Sequence, residues 1–223
     1  AYPCAYPARG KTKIRMTIEK SAFIDLVKPS AQEMSRLEAY AGLLSKWNAK
    51  INLVAPNTLK TLWERHFLDS AQLLNLTPVN VKTWVDFGSG GGFPALVVAI
   101  LAADRRPELR FTLIESDQRK SAFLRTVSRE TSINVEVITA RVEDVLPLGV
   151  DVVSARALAP LAELLGYANR HLIEGGVSIF HKGRNNEAEL RDALANWQFT
   201  YEKVESLSHD EGAILTIGDL RRA

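Results

Sequence analysis

The sequence predicts an α/β fold: a mostly parallel seven-stranded sheet closed by a C-terminal antiparallel hairpin and preceded by an N-terminal helical cap. Three observations carry the prediction. From Lys82 onward, short apolar runs alternate with helical segments, the pattern of a parallel sheet covered on both faces. Before Lys82 only helical periodicity is visible. Between the two, Val85-Asp86-Phe87-Gly88-Ser89-Gly90-Gly91-Gly92-Phe93-Pro94 joins a buried strand ending in an acid to a glycine turn and a helix opening at proline.

The elements follow in order. Ile18 to Val27 is expected as a short helix ending at Lys28-Pro29, since the residue before a proline is pushed out of the helical region. Gln32 to Lys50 sets Leu37, Ala41, Leu44 and Trp47 on one face, and Leu59 to Asn75 is expected to do the same with Leu62, Phe67 and Leu74. Strands are predicted at 83–87, 110–115, 134–138, 150–154 and 176–181, with helices near 94–103, 118–131, 159–172 and 186–195. Phe199–Leu207 and Ala213–Ile217 flank Asp210-Glu211-Gly212 and are read as the closing hairpin. The expected organisation is a disordered tail over 1–16, a helical cap over 17–80 and a ligand-binding domain over 81–223.

Composition excludes several classes. With 223 residues, 46% apolar and 24% charged, the chain has the make-up of an ordinary globular protein. No apolar run approaches the roughly 18 residues of a membrane span, and the first twenty residues lack the apolar core of a signal peptide. Cys4 is the single cysteine, which rules out an internal disulfide framework and a cysteine-rich metal cluster. No metal is expected, and a reducing cytoplasm is the expected location. Net charge is +2, but residues 1–20 carry +4 and the remainder −2. A nucleic-acid role therefore needs a local patch or a structured partner. The tail itself is either part of the protein or upstream sequence, with Met16 as the start.

The glycine turn points to the ligand. A dinucleotide fingerprint would need its third glycine at 93, which is Phe93. D-x-G-x-G-x-G, with glycines at 88, 90 and 92, instead suits a ligand without a pyrophosphate, and S-adenosylmethionine is the expected one. The architecture is then a Rossmann-like class I methyltransferase, in which ligands sit beyond the carboxyl ends of the strands. Asp86 ends the first strand there. Glu115 ends the second, 23 residues after Gly92, where a carboxylate can accept from both ribose hydroxyls. After the third strand, Val142 and Glu143 either flank and face an adenine ring or simply open a helix with acids favoured by its dipole. Arg156 follows the fourth strand, where an adenine-N6 enzyme would show Asp/Asn-Pro-Pro-aromatic and a pyrimidine-C5 enzyme a cysteine. Its cation either holds a carboxylate, phosphate or base at the cleft, or makes a structural salt bridge.

Several blocks together resemble one family. They are Lys46-Trp47-Asn48 with Ile51-Asn52-Leu53, Arg65-His66-x-Leu68-Asp69-Ser70, the glycine turn, Leu113-Ile114-Glu115-Ser116, Lys120 with Phe123-Leu124-Arg125, Arg141-Val142-Glu143, Ser154-Ala155-Arg156-Ala157 and Lys182-Gly183. In this order and spacing, over about residues 37–217, the chain resembles the RsmG (GidB) family of small-subunit ribosomal RNA methyltransferases. The resemblance implies methylation of N7 of a guanosine in 16S ribosomal RNA, with S-adenosylmethionine as cofactor. It also implies cofactor contacts at Gly88, Phe93, Val142, Glu143 and Arg156, alongside Asp86, Gly90, Gly92 and Glu115. One departure is Ala95, where the family usually has glycine; its methyl is expected to narrow the space above the turn.

Guanine N7 carries a lone pair and no proton, so transfer to it needs no general base, and no residue is expected to act as a chemical acid or base. Catalysis then rests on positioning and electrostatics, with Arg156, Asn48 and His66 as positioning candidates. Arg65 and Asp69 are read as an i,i+4 ion pair. His66 is either a partly buried histidine beside that pair or, with Asn48 and Arg65, a cap residue that holds RNA over the cofactor. Lys182 and Arg184 are expected to add phosphate contacts. Arg119, Lys120, Arg125 and Arg129 form a helix stripe that is either a solvated face or an RNA track, with Lys120 taken as an RNA candidate. The expected partner is 16S ribosomal RNA within a folded small subunit, met by a monomer with no membrane contact. The rival readings are a small-molecule methyltransferase, whose cap would close on an apolar pocket, and a non-catalytic S-adenosylmethionine- or RNA-binding assembly factor. A nicotinamide dehydrogenase is disfavoured by the glycine spacing.

Overall fold

The structure is a computed structural model that describes residues 20–208 and 211–223. The expected tail over 1–16 with Cys4 and Met16, the start of the first helix at Ile18, and Asp210 of the hairpin turn lie outside the described residues.

Helix α1 spans Lys20–Val27 and α2 spans Ala31–Asn48. A capping box starts α2: Ser30 Oγ accepts from the Glu33 amide at 3.1 Å, and Glu33 Oε2 accepts from the Ser30 amide at 2.7 Å. The expected helix over Leu59–Asn75 is broken into three pieces: a 3₁₀ turn at Pro56–Thr61, a π-helical turn at Trp63–Leu68, and α3 at Asp69–Leu76. The π turn is the physical reason. Its wider i→i+5 ring shifts the helical phase between Leu62 and Asp69, and His66, Phe67 and Leu68 are all buried within it.

The sheet comprises β1 (Thr83–Phe87), β2 (Arg110–Ile114), β3 (Val135–Ile138), β4 (Val150–Arg156), β5 (Leu172–Lys182), β6 (Trp197–Glu205) and β7 (Ala213–Arg222), in the order β3-β2-β1-β4-β5-β7-β6. Strands β1 to β5 pair in parallel, and β7 runs antiparallel between β5 and β6. The intervening helices are α4 (Ala95–Arg105), α5 (Gln118–Thr131), α6 (Leu161–His171) and α7 (Asn186–Leu194). Pro94 is the N-cap of α4, so the helix begins one residue after the expected start. Strand β5 begins four residues earlier than expected, because the pairing with β4 slips between Val150 and Val152 around Gly175 and Gly176. Strand β6 begins two residues early, and β7 continues five residues past Ile217.

Two apolar cores flank the sheet. One joins Trp84, Leu113, Val152, Ile179 and Ile214 to α4, α5 and the N-terminal helices through Phe23, Leu37, Tyr40, Leu44 and Phe67. The other joins Val85, Phe87, Val153, Phe180 and Leu215 to α6 and α7. Adjacent strand residues thus face opposite cores. Helix α4 is apolar all round because it lies beneath both α2 and α3. A half-buried fork-to-fork pair ties this layer together: Arg105 Nε and Nη2 donate to Glu33 Oε1 and Oε2 at 2.7 and 2.8 Å. Ala95 lies fully buried within this core. Among the described residues no helix is long and apolar enough to cross a membrane.

Candidate active site

The parallel register brings the C-terminal ends of β1, β2 and β4 level, with Asp86 opposite Leu113 and Ser154, and Phe87 opposite Ile114 and Ala155. The glycine turn leaves β1 at this edge. Its carbonyl and amide groups are held by Ser89 N to Ile114 O at 3.1 Å, Gly92 N to Ser89 O at 2.6 Å, and a hydrogen bond from the Tyr40 hydroxyl to the Gly91 carbonyl. Gly90 and Gly92 both require left-handed backbone, at φ +52° and +90°, but for different surroundings. A methyl on Gly92 would lie 2.5 Å from Leu96 Cδ1 and 2.6 Å from the Tyr40 hydroxyl. A methyl on Gly90 would meet nothing closer than the Gly88 carbonyl at 3.7 Å, so the space over Gly90 is open. Over Gly88 lies Leu158, from the loop after β4.

Two acids sit beneath this opening. Glu115 is buried at the end of β2, where Oε2 accepts from the Gly90 amide at 2.7 Å and Oε1 from the Asp117 amide at 2.8 Å. Each oxygen keeps a lone pair for a further donor. Asp86 is fully buried; its Oδ1 accepts from Ser154 Oγ at 2.5 Å, and Ser154 Oγ in turn accepts from Trp84 Nε1 at 2.8 Å. Asp86 Oδ2 has no partner among the described residues. Burial pushes the Asp86 carboxyl up to about 7, against the opposing hydrogen bonds of Ser154 and Ser89. After β3, Val142 is buried in a 3₁₀ turn with Glu143, whose carboxylate is exposed, 3.3 Å from Arg141 Nη1. Its own backbone amide holds the Glu143 carboxyl below the usual range.

Arg156, the last residue of β4, is the centre of the remaining network. Its guanidinium carbon lies 4.9 Å from the centroid of the Phe93 ring. Nη2 donates to His66 Nδ1 at 2.7 Å and Nη1 to the Arg65 carbonyl at 3.3 Å, with Asp69 Oδ2 3.7 Å away. The His66 ring stacks on Phe93 at 4.8 Å, and Phe93 stacks on Tyr40 at 5.4 Å. Burial, reinforced by the Arg156 charge, lowers His66 to about 3, so its ring is neutral. Asp69 is buried; burial would raise its carboxyl, but His181, Ser206 and Arg156 hold it below the usual range. Ser206 Oγ donates to Asp69 Oδ1 at 2.6 Å, and His181 Nε2 lies 3.1 Å from the Asp69 carbonyl.

The expected Arg65–Asp69 ion pair is therefore replaced. The π turn moves the two side chains off a common face, so Asp69 turns to Arg156 and His181, and Arg65 Nη1 donates to the Ser208 carbonyl at 3.3 Å. Asn48 is also committed locally: its Oδ1 accepts from the Leu53 and Val54 amides, both at 2.9 Å, shaping the loop whose Leu53 carbonyl lies against Gly91. Lys182 is buried rather than at a rim; its Nζ pairs with Glu189 at 2.5 Å and donates to the Ala159 carbonyl at 3.0 Å. Arg184 is exposed and paired with Glu211 at 2.6 Å. Of the stripe on α5, Arg119 projects into solvent, Lys120 is half-buried, and Arg125 donates to the Val137 carbonyl and Thr139 Oγ1. Tyr40, Thr58, Ser154, His181 and Ser206 escaped sequence reasoning. Ser154 stands in a named block without an assigned role, the other four lie outside the blocks, and only packing brings each of them in.

The residues present fit S-adenosylmethionine. The turn is open above Gly90, Glu115 faces it with two acceptor oxygens, and buried Asp86 keeps an unpartnered oxygen at the same strand ends. Among the described residues no group of three or more His, Cys, Asp or Glu is placed to hold a metal ion. Residues 33–216 match the family model described as rRNA small subunit methyltransferase G. Proteins named ribosomal RNA small subunit methyltransferase G from Ruegeria pomeroyi and Paramagnetospirillum magneticum are 48% and 50% identical over 193 residues, each alignment covering 86% of this chain and 94% or 92% of the relative. Among solved structures, an O-methyltransferase from Bacillus cereus in complex with SAH superimposes with a TM-score of 0.59 at 14% identity, covering 89% of this chain and 96% of that one. A ribosomal protein L11 methylase from Lactobacillus delbrueckii subsp. bulgaricus gives 0.55 at 18% identity, covering 67% and 76%. These two likenesses establish the fold, a class I methyltransferase sheet with its helices.

Proposed function

Because this chain belongs to the rRNA small subunit methyltransferase G family, we propose that its site methylates N7 of one guanosine in 16S ribosomal RNA of the small ribosomal subunit. The cofactor is S-adenosylmethionine, which supplies an electrophilic methyl group on a sulfonium. Glu115 accepts from the ribose, Val142 and Glu143 flank the adenine, and the turn from Gly88 to Phe93, with Asp86 beneath it and Arg156 beside it, receives the methionine end.

One observation carries the mechanism: His66 and Asp69, the ionisable side chains lying against the Arg156 guanidinium, are already engaged. His66 accepts at Nδ1 and bonds Thr58 Oγ1 at Nε2, 2.8 Å away. Asp69 is held by Ser206, His181 and Arg156. Such a site is suited to a nucleophile that has no proton to lose, which guanine N7 is. The chain then contributes orientation and a fixed cationic environment rather than proton transfer.

The RNA is met by the cations Arg65, Lys120 and Arg184, with Arg119 beside Lys120 on α5. The body is close to neutral, so phosphate contacts alone bind weakly, and the substrate is a folded subunit particle rather than naked RNA. The enzyme acts as a monomer in the cytoplasm. The test supplies radiolabelled cofactor with subunits lacking the modification, and separately with their naked RNA, and maps the label by cleavage at N7-methylguanosine. Label at a single guanosine, greater on the particle, is expected. Cofactor binding without transfer to either RNA would overturn the reading in favour of a small-molecule substrate or an assembly role.

A further inference from the structure

The Arg156–His66 contact continues into the 3₁₀ turn at Pro56–Thr61, and every hydrogen in the chain has a forced direction. An arginine only donates, so His66 Nδ1 is the acceptor and carries no proton. The neutral ring therefore holds its one proton on Nε2, which lies 2.8 Å from Thr58 Oγ1. Thr58 can accept it because its own hydroxyl hydrogen is used on the Ala55 carbonyl at 2.7 Å. The sequence of bonds thus runs from Arg156 to His66, and from His66 to Thr58 and the Ala55 carbonyl. The opposite tautomer would set a ring N–H against the guanidinium N–H of Arg156, and Thr58 could serve Nε2 only by turning its hydroxyl hydrogen off the Ala55 carbonyl.

We propose that Thr58 is a positioning residue for methyl transfer, whose hydroxyl accepts from His66 Nε2 and so holds the ring in the orientation that presents Nδ1 to Arg156 over Phe93. This rests on the reading that Arg156 works at the cofactor. Thr58 reaches the chemistry only through His66; it is half-buried on the cap, outside the strand-end residues that form the site. Its effect is on preorganisation: Thr58 gives the half-buried Nε2–H its acceptor and so holds the plane of the ring. Without the hydroxyl the ring turns toward another acceptor, Arg156 loses Nδ1 part of the time, and only then is the tautomer free to change.

Three variants test this. Thr58→Val keeps the shape and removes the hydroxyl, Thr58→Ser keeps the hydroxyl, and His66→Asn assigns the His66 resonances among the four histidines of the chain. Long-range proton–nitrogen spectra of histidine-labelled protein read the tautomer without any RNA or turnover. The wild type and Thr58→Ser are expected to show a single Nε2–H ring for His66, and Thr58→Val a mixture of tautomers. In subunit methylation, Thr58→Val is expected to lower kcat about tenfold, as for loss of one hydrogen bond to a charged network. Thr58→Ser should recover most of that loss, and the melting temperature of either should shift by no more than about 4 °C. An Nδ1–H ring in the wild type, an unchanged tautomer in Thr58→Val, or a changed tautomer with wild-type turnover would each overturn the proposal. Failure of the N7-methylation reading is recognised separately, since it abolishes transfer in the wild type and leaves the tautomer spectra intact.

Discussion

Alanine at Gly92 should cost more stability than alanine at Gly90, and alanine at Gly90 should cost cofactor affinity out of proportion to its stability. Both glycines adopt left-handed backbone, which costs an L-residue about 1–2 kcal/mol, partly offset by about 0.4–1 kcal/mol from the stiffer unfolded chain. At Gly90 the new methyl meets nothing within 3.7 Å. The expected loss for Gly90→Ala is therefore about 1 kcal/mol. At Gly92 the φ of +90° lies outside the left-handed well, and the methyl collides with Leu96 and the Tyr40 hydroxyl at 2.5 and 2.6 Å. Overpacking of this kind adds about 1–3 kcal/mol, so Gly92→Ala should lose about 3 kcal/mol. Urea unfolding measures both. Calorimetry with S-adenosylmethionine should then show the reverse emphasis: Gly90→Ala stays folded but binds at least about tenfold more weakly, a cost of about 1.4 kcal/mol, because its methyl enters the open space over the turn. Wild-type affinity in Gly90→Ala would refute this placement of the cofactor, and equal stability of the two variants would refute the steric argument.

Other outcomes follow from the same geometry. Glu33→Ala should lower stability by about 2–3 kcal/mol in urea while cofactor affinity is unchanged; this is below the range for a fully buried pair because Arg105 remains over a third exposed. Lys182→Ala should destabilise the α6–α7 region without altering subunit binding, whereas Arg119→Ala and Lys120→Ala should weaken subunit binding and each reduce the salt slope by about one; equal loss of binding in all three would contradict the buried position of Lys182. Asp86, with its folded carboxyl near 7 and an ordinary unfolded value of 3.8, keeps its proton longer when folded, so its contribution falls as pH rises between those values. Cofactor-free Asp86→Asn should therefore gain stability relative to wild type between pH 4 and about 7, which pH-resolved unfolding will show. His66 works in the other sense. Its folded value of about 3 against 6.5 means stability present above pH 6.5 is lost as pH falls toward 3, and His66→Asn should flatten that acid limb.

The glycine turn and Glu115 were legible because their function depends on backbone conformation and on a residue at a strand end, both of which are written locally. The helix over 59–75 was not. Leu62 and Phe67 lie five residues apart, and that spacing is the trace of the π turn, but with a 3.6-residue period in mind it reads as a gap in the pattern. The same turn dissolved the expected Arg65–Asp69 pair and left Asp69 for Arg156. Lys182 stands at a strand end and so reads as a rim cation; its partner Glu189 is on α7, and the pair forms only because that helix turns back over the end of β5. Asn48 reads equally well as a surface amide or as a loop anchor until the chain after it folds back.

By itself the sequence determined the alternation of strands and helices, the glycine turn, the acids at the strand ends and the family. These depend on short-range periodicity and on residues whose backbone conformations few others can adopt. Tertiary structure alone decided which charges face which. Asp69, Arg156, His66 and His181 come from four separate elements, and hydrogen-bond direction, burial and ring stacking are properties of atoms within about 4 Å of one another, however far apart they lie along the chain.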